Sequence, residues 1–262
     1  MKTFRKRGFY TPVAALYGSG AAPWTPASLG SALIAWYKAD AGVYSDAGTT
    51  LATNGQAVQQ WNDQSGHGFH LVQPNSGLRP VFTTGALNSL PALTFDGSIG
   101  QAVATSGEPI TLGIQTLSAF AVVKVTGNVG NARIVGISNA SVGGDIDSTT
   151  AILLCLLGST LVTVTAYNNG SKGTATITSG SWNQLASIFD SANSNVYVGN
   201  VSGGAVAASP TFASTVDLEV GGTVTANSGI TGQVAEVFFA NTALNSTDRG
   251  HAQTYFFGRW GV

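Results

Sequence analysis

Asp217 and Glu219 stand two residues apart in Val216-Asp-Leu-Glu-Val220. On a strand that spacing puts both carboxylates on one face, about 7 Å apart by strand rise, and two carboxylates flanking a sugar bond are what a glycosidase needs. Leu218 and Val220 fall on the opposite face, so the simplest placement leaves both acids in solvent. Asp63, His67 and His70 lie close enough along the chain to share a metal, but no further His or Cys follows nearby to complete a ligand set. A tight turn explains the same residues: Asp63 and Ser65 hydrogen-bond nearby amides, and Gly66 supplies a positive φ. Asp145 and Asp147 offer the oxygen donors that calcium takes; a solvated turn is the commoner outcome for such a loop, and no cofactor is expected. Nucleophile-elbow, Walker, His-Glu-x-x-His and Cys-x-x-Cys patterns do not occur.

The elements that would carry these residues read as short apolar runs punctuated by Gly, Asn, Ser, Asp and Pro, the pattern of a sandwich or barrel. Strands are expected at 33–38, 92–95, 118–125, 133–137, 151–157, 160–167, 174–178, 183–189, 195–198, 217–220 and 233–240. One helix is expected at the end. Asn245 caps it with Asp248 three residues on, Ala252, Tyr255, Phe256 and Trp260 share a side, and Gly261 stops it. Glu236 shares a strand face with Val234 and Phe238, so burial of that face would oblige its carboxylate to find a partner; Arg259 is the expected one. The fold class is therefore all-β, an antiparallel sandwich with a short C-terminal helix.

Of 262 residues, 44% are apolar, enough for one large core, and only 9% are charged. Lys2, Arg5, Lys6 and Arg7 supply four of the eleven basic residues within the first seven positions, leaving a body of charge −5 behind an arm of +4. Residues 1–27 form an extended arm on this reading, and 28–262 the sandwich domain. The arm holds Phe4, Phe9, Tyr10, Tyr17 and Trp24 without a strand or helix period. Such a segment offsets its ordering entropy only by packing on its own sandwich or on a neighbouring subunit, with the aromatic residues as anchors. Cys155, in an apolar run, is a small hydrophobe, and a lone cysteine forms no internal disulfide. Val13–Tyr17 is too short for a signal-peptide core, and no run has the length of a membrane span.

Three groups of segments resemble the concanavalin A-like, laminin-G-like jelly-roll family found in bacteriophage and bacterial surface proteins. The first joins Leu33-Ile-Ala-Trp-Tyr-Lys-Ala-Asp40, Val58-Gln-Gln-Trp-Asn-Asp-Gln-Ser-Gly66 and Pro91-Ala-Leu-Thr-Phe-Asp-Gly97. The second joins Ser118-Ala-Phe-Ala-Val-Val-Lys124, Trp182-Asn-Gln-Leu185 and Val196-Tyr-Val-Gly-Asn200. The third joins Gly232-Gln-Val-Ala-Glu-Val-Phe-Phe239, Ala243-Leu-Asn-Ser-Thr-Asp-Arg249 and Tyr255-Phe-Phe-Gly-Arg-Trp-Gly261.

The resemblance implies a concanavalin A-like jelly roll. With the arm, it implies a structural bacteriophage virion protein, on capsid (decoration or minor capsid) or tail, assembled in the host cytoplasm. Its expected partners are other virion proteins, such as a capsid or tail protein, and further copies of itself, with no membrane and no nucleic acid. The alternative is a carbohydrate-binding adhesive module for host or surface glycans, with Tyr44, Tyr167 and Tyr197 as candidate sugar platforms. Sugar-cleaving relatives carry Glu-x-Asp-x-x-Glu, whereas this chain has Asp217-Leu-Glu-Val-Gly-Gly222. An enzyme is therefore not expected.

Overall fold

The computed structural model describes residues 23–98, 101–105, 116–128, 132–139, 152–156, 164–168, 171–190, 193–205, 216–222 and 229–262. Among them are seventeen strands: β1 (Leu33–Lys38), β2 (Val43–Tyr44), β3 (Gln60–Trp61), β4 (Leu71–Val72), β5 (Val81–Leu87), β6 (Leu90–Asp96), β7 (Val103–Ala104), β8 (Thr116–Asn128), β9 (Arg133–Asn139), β10 (Ile152–Leu156), β11 (Val164–Asn168), β12 (Ser171–Ala175), β13 (Trp182–Asp190), β14 (Asn195–Val198), β15 (Val201–Ser202), β16 (Val216–Val220) and β17 (Ile230–Ala240). One helix, α1 (Ser246–Trp260), follows them. Ten of the eleven expected strands match these elements, and the one expected at 174–178 lies earlier in the chain, as β12, overlapping it only at 174–175. Among the described residues no helix is long and apolar enough to cross a membrane.

The strands form two antiparallel sheets. One runs β15-β14-β13-β8-β17-β6-β5 with β1 also paired to β17, and the other runs β12-β11-β10-β9-β16-β7-β4-β3-β2. Alternation along the central strands sorts two apolar layers. Tyr37, Trp61, Phe95, Val123, Leu218, Val237 and Phe239 fill the space between the sheets. The opposite face of the eight-stranded sheet presents Trp36, Phe120, Val122, Phe238 and Ile188, and α1 covers these with Ala252, Phe256 and Trp260. Phe120 and Phe238 stack at 4.6 Å between centroids. The all-β sandwich expected from the sequence is thus the fold, with a second apolar layer beneath the helix.

The helix ends where its caps dictate. The Asn245 side chain accepts from Thr247 N at 2.8 Å and Asp248 N at 3.0 Å, while Gly261, left-handed at φ 76°, donates its N–H to Phe257 O.

Gly232 has a different constraint. It lies where β17 shifts register against β8, and a Cβ there would stand 2.2 Å from Lys124 O and 2.9 Å from Val125 Cα. Backbone cannot move aside as a flexible side chain does, so Gly232→Ala is expected to lower the unfolding free energy by about 2–3 kcal/mol. A urea titration showing an unchanged midpoint would refute the close approach.

Candidate functional site

Glu236 fixes where α1 sits. Its side chain is fully buried and accepts four hydrogen bonds: Trp36 Nε1 at 2.6 Å and Tyr255 OH at 2.8 Å on Oε1, then Trp260 Nε1 at 2.7 Å and Arg259 Nε at 3.0 Å on Oε2. Arg259 is the expected partner; Tyr255 and Trp260 join it from the same helix, and Arg259 also pairs with Asp40. Burial raises the Glu236 carboxyl above the ordinary carboxylate range, and the hydrogen bonds from Trp36, Tyr255 and Trp260 together with the Arg259 charge offset only part of that rise. Burial first, and then the Glu236 charge, lift the Tyr255 phenol well above its ordinary range. Three of the four donors come from the last six residues of the helix, so this carboxylate sets the rotation and height of α1 over the sheet.

With α1 held there, a groove of about 700 Å³ opens between the helix and strands β13 and β14 with the turn that follows them. Trp182 and Phe257 supply its aromatic surface, and Asn183, Gln184, Asn200, Gln253 and Thr254 its polar groups. No charged side chain lines it. Phe257 is 66% exposed, far more than its neighbour Phe256, which points into the sheet. Gln184 Nε2 donates to Gln253 O at 3.2 Å and also to Val262 O, and Gln253 Nε2 donates to Gly199 O. Each glutamine thus spends its NH2 on backbone and keeps its carbonyl oxygen as an acceptor. Asn183 Nδ2 is likewise held, by Ser181 O at 2.8 Å. An uncharged trough with aromatic faces and fixed amide oxygens suits a neutral, hydroxyl-rich body that is apolar on one side.

The candidates read from the sequence distribute unevenly. Lys2, Phe4, Arg5, Lys6, Arg7, Phe9, Tyr10 and Tyr17 lie outside the described residues, as do Asp145 and Asp147. Trp24 packs edge-on against Phe238 and Tyr255, with centroids at 6.4 and 6.1 Å. Tyr44 is half-buried on the nine-stranded sheet. Backbone register runs from it through Gln60, Val72, Ala104, Glu219, Gly136 and Ile152 to Tyr167, whose side chain is outside the described set. Tyr197 lies on the other sheet, beside the groove, with the Arg249 guanidinium 4.0 Å over its ring.

Asp63, Ser65 and Gly66 make the expected turn: Asp63 Oδ1 accepts from Ser65 N at 2.8 Å, and Gly66 has φ 96°. His70 Nδ1 accepts from Asp63 N at 3.2 Å, and His67 stacks on Phe69. Among the described residues no group of three His, Cys, Asp or Glu side chains could hold a metal. The placement of both acids in solvent is corrected. Asp217 is half-buried, but Glu219 is only 1% exposed, because β16 is an interior strand between β9 and β7. A side chain at Gly136 would meet Glu219 Oε2 at 3.9 Å and Cγ of the buried Arg133 at 4.0 Å, so the acid and the aliphatic stem of Arg133 flank the same glycine.

The groove itself was not anticipated. Its signal in the sequence was Phe257, an aromatic residue one position off the inward stripe of Ala252, Phe256 and Trp260, where a polar residue belongs.

No protein-family model and no curated protein sequence matches the chain. Solved structures do. Trypanosoma rangeli sialidase in complex with sialic acid aligns at TM-score 0.56 and 15% identity over 92% of this chain, which spans about a third of the sialidase, 34% of its length. A GH54 α-L-arabinofuranosidase soaked with a cyclic sulfate inhibitor aligns at TM-score 0.58 and 15% identity, over 89% of this chain and 60% of that one. Domain 4 of AbnA, a GH43 extracellular arabinanase from Geobacillus stearothermophilus in complex with arabinotriose, aligns at TM-score 0.54 and 15% identity, over 85% of this chain and 97% of the domain.

At such identities the shared property is the fold, a jelly-roll-like β-sandwich of the kind present in glycoside hydrolases. These neighbours correct the expectation that the chain is not an enzyme. The sandwich occurs in chains named sialidase and arabinofuranosidase, so the fold cannot carry that exclusion. The departure from Glu-x-Asp-x-x-Glu at Asp217–Gly222, on which that expectation stood, sets this chain apart from one group of sugar-cleaving relatives and excludes no other arrangement.

Proposed function

We propose that the chain is a carbohydrate-binding β-sandwich, an adhesive module of the laminin-G-like kind, which holds a saccharide in the groove between α1 and strands β13 and β14. The observation that carries this reading is the pairing of Trp182 with the exposed Phe257 over an uncharged trough whose amide oxygens are already fixed. Aromatic faces cover the C–H side of a sugar ring, and fixed acceptors take its hydroxyls without a further entropic cost of ordering. Similarity to a whole arabinanase domain of matching length, in complex with arabinotriose, supports it. The virion reading draws on the arm, whose residues 1–22 lie outside the described set, and the neighbours lend it no support.

The test is calorimetry and a glycan array with the wild-type chain, Trp182→Ala and Phe257→Ala. Each variant is expected to weaken saccharide binding at least about tenfold, the equivalent of about 1.4 kcal/mol. Phe257→Ala should leave the thermal midpoint in place, since the side chain is mostly in solvent. Wild-type chain that retains no saccharide at millimolar concentration overturns the proposal.

A further inference from the structure

Arg249 precedes the groove-lining Gly250 on α1 and has no charge partner among the described residues. The other described arginines are engaged: Arg79 binds Gln73 O and Gln59 Oε1, Arg259 binds Glu236 and Asp40, and the buried Arg133 has partners too, although its Nε lacks an acceptor. Arg249 makes no ion pair and no side-chain hydrogen bond among the described residues, and its Nε is buried without an acceptor. Asp248, the adjacent acid, is turned to the helix cap, where Asn245 Nδ2 reaches it at 2.9 Å and His251 lies at 3.9 Å. Leaving a guanidinium half-buried and unpaired is costly, yet the Tyr197 ring lies beneath this one, its centroid 4.0 Å from Cζ. A planar fork left open in this way matches the two oxygens of a carboxylate or a sulfate.

Its position ties it to the groove. Arg249, Gln253 and Phe257 recur every four residues and form one stripe of α1, about 12 Å long. Across from the stripe, Tyr197 precedes Gly199 by two residues, and Gln253 donates to Gly199 O. The Arg249–Tyr197 layer therefore abuts the Gln253–Gly199 layer that walls the groove. A ring seated on Trp182 and Phe257 can extend a substituent along the stripe toward Arg249, and no Asp or Glu side chain lies in the lining.

We infer that the groove ends in an anion subsite formed by Arg249 on Tyr197, so that its ligand is a short oligosaccharide bearing a carboxylate or a sulfate. This rests on the carbohydrate reading above.

The experiment measures the affinity of the full chain for neutral, uronate- or sialate-terminated, and sulfated oligosaccharides of matched length, at low and at moderate salt. Acidic ligands should bind at least tenfold tighter than neutral ones at low salt, with the margin shrinking as salt rises, and whichever acidic arm is preferred identifies the group. Arg249→Gln should abolish that margin and keep the affinity for neutral ligands. Arg249→Lys, which retains charge but not the fork, should keep part of it, and both variants are checked for an unchanged thermal midpoint. Equal wild-type affinity for neutral and acidic ligands, or a margin that survives Arg249→Gln in a folded protein, overturns the anion subsite alone. Binding to no saccharide of either kind overturns the carbohydrate reading and this inference with it.

Discussion

Glu236→Ala is expected to lower the unfolding free energy by about 3–5 kcal/mol, because truncation strands four buried or half-buried donors at once. Trp36 Nε1, Tyr255 OH, Trp260 Nε1 and Arg259 Nε all terminate on this carboxylate. Arg259 alone keeps a second acid, Asp40. Glu236→Gln tests the same hub at nearly constant volume. Whichever way the amide is turned, its NH2 faces two donors, so the variant should still lose about 2–3 kcal/mol. Trp36 and Trp260 touch the carboxylate directly, so their fluorescence should change on substitution and report the effect alongside urea unfolding. The helix positioned by Glu236 also forms one wall of the groove. Glu236→Gln should therefore weaken saccharide binding although residue 236 does not line the site. A Gln variant with the wild-type midpoint and spectrum would show that the donors find other acceptors and that the helix does not depend on this pin.

The reach of the sequence depended on whether a feature was local or tertiary. Helix caps, the Asp63–Gly66 turn and the long apolar strands are written in neighbouring residues, and the structure places them where the pattern puts them. The strands β2, β3, β4, β7 and β15 have two residues each, too few to show a period. The seven residues of β5 form an edge strand with four half-buried and three exposed positions, so no clean alternation marks them. Glu236 was legible as a carboxylate in need of partners, and Arg259 as one of them, because alternation from Phe238 and the helix period turned both toward the same layer. The face expected to be shared with Val234 is not, since a register shift between Val234 and Glu236 leaves Val234 in the core between the sheets. The groove was legible only through the misplaced Phe257. Nothing near Trp182 or Asn200 in the chain foretells that a helix fifty residues later will close over them, and nothing near Arg249 foretells Tyr197. Glu219 was misplaced for a related reason. Alternation assigns a face, but only the order of strands within the sheet tells whether that face is open.

Asp63→Ala is the second large effect, about 3 kcal/mol of unfolding free energy. The side chain is 8% exposed and accepts from five groups: Trp36 N at 2.9 Å, Ser65 N at 2.8 Å, Ser65 Oγ at 2.6 Å, Gly68 N at 3.1 Å and Phe69 N at 3.3 Å. Four are backbone amides, which cannot rotate to other acceptors, so removal leaves them unpaired in a partly closed turn. Asp63→Asn should cost less, since Oδ1 still serves Trp36 N and Ser65 N while the new NH2 faces the remaining three donors. Amide exchange at Gly68 and Phe69 should accelerate in both variants ahead of global unfolding. The two hubs meet in one residue: Asp63 holds the Trp36 backbone, and Glu236 holds the Trp36 indole at 2.6 Å. Loss of either anchor loosens the other, so Asp63→Asn and Glu236→Gln should combine to less than the sum of their separate costs, with a coupling of about 0.5–1 kcal/mol in a double-mutant cycle. Strict additivity would mean that Trp36 is held by β1 packing alone, leaving turn and helix pin as independent supports of the same sheet.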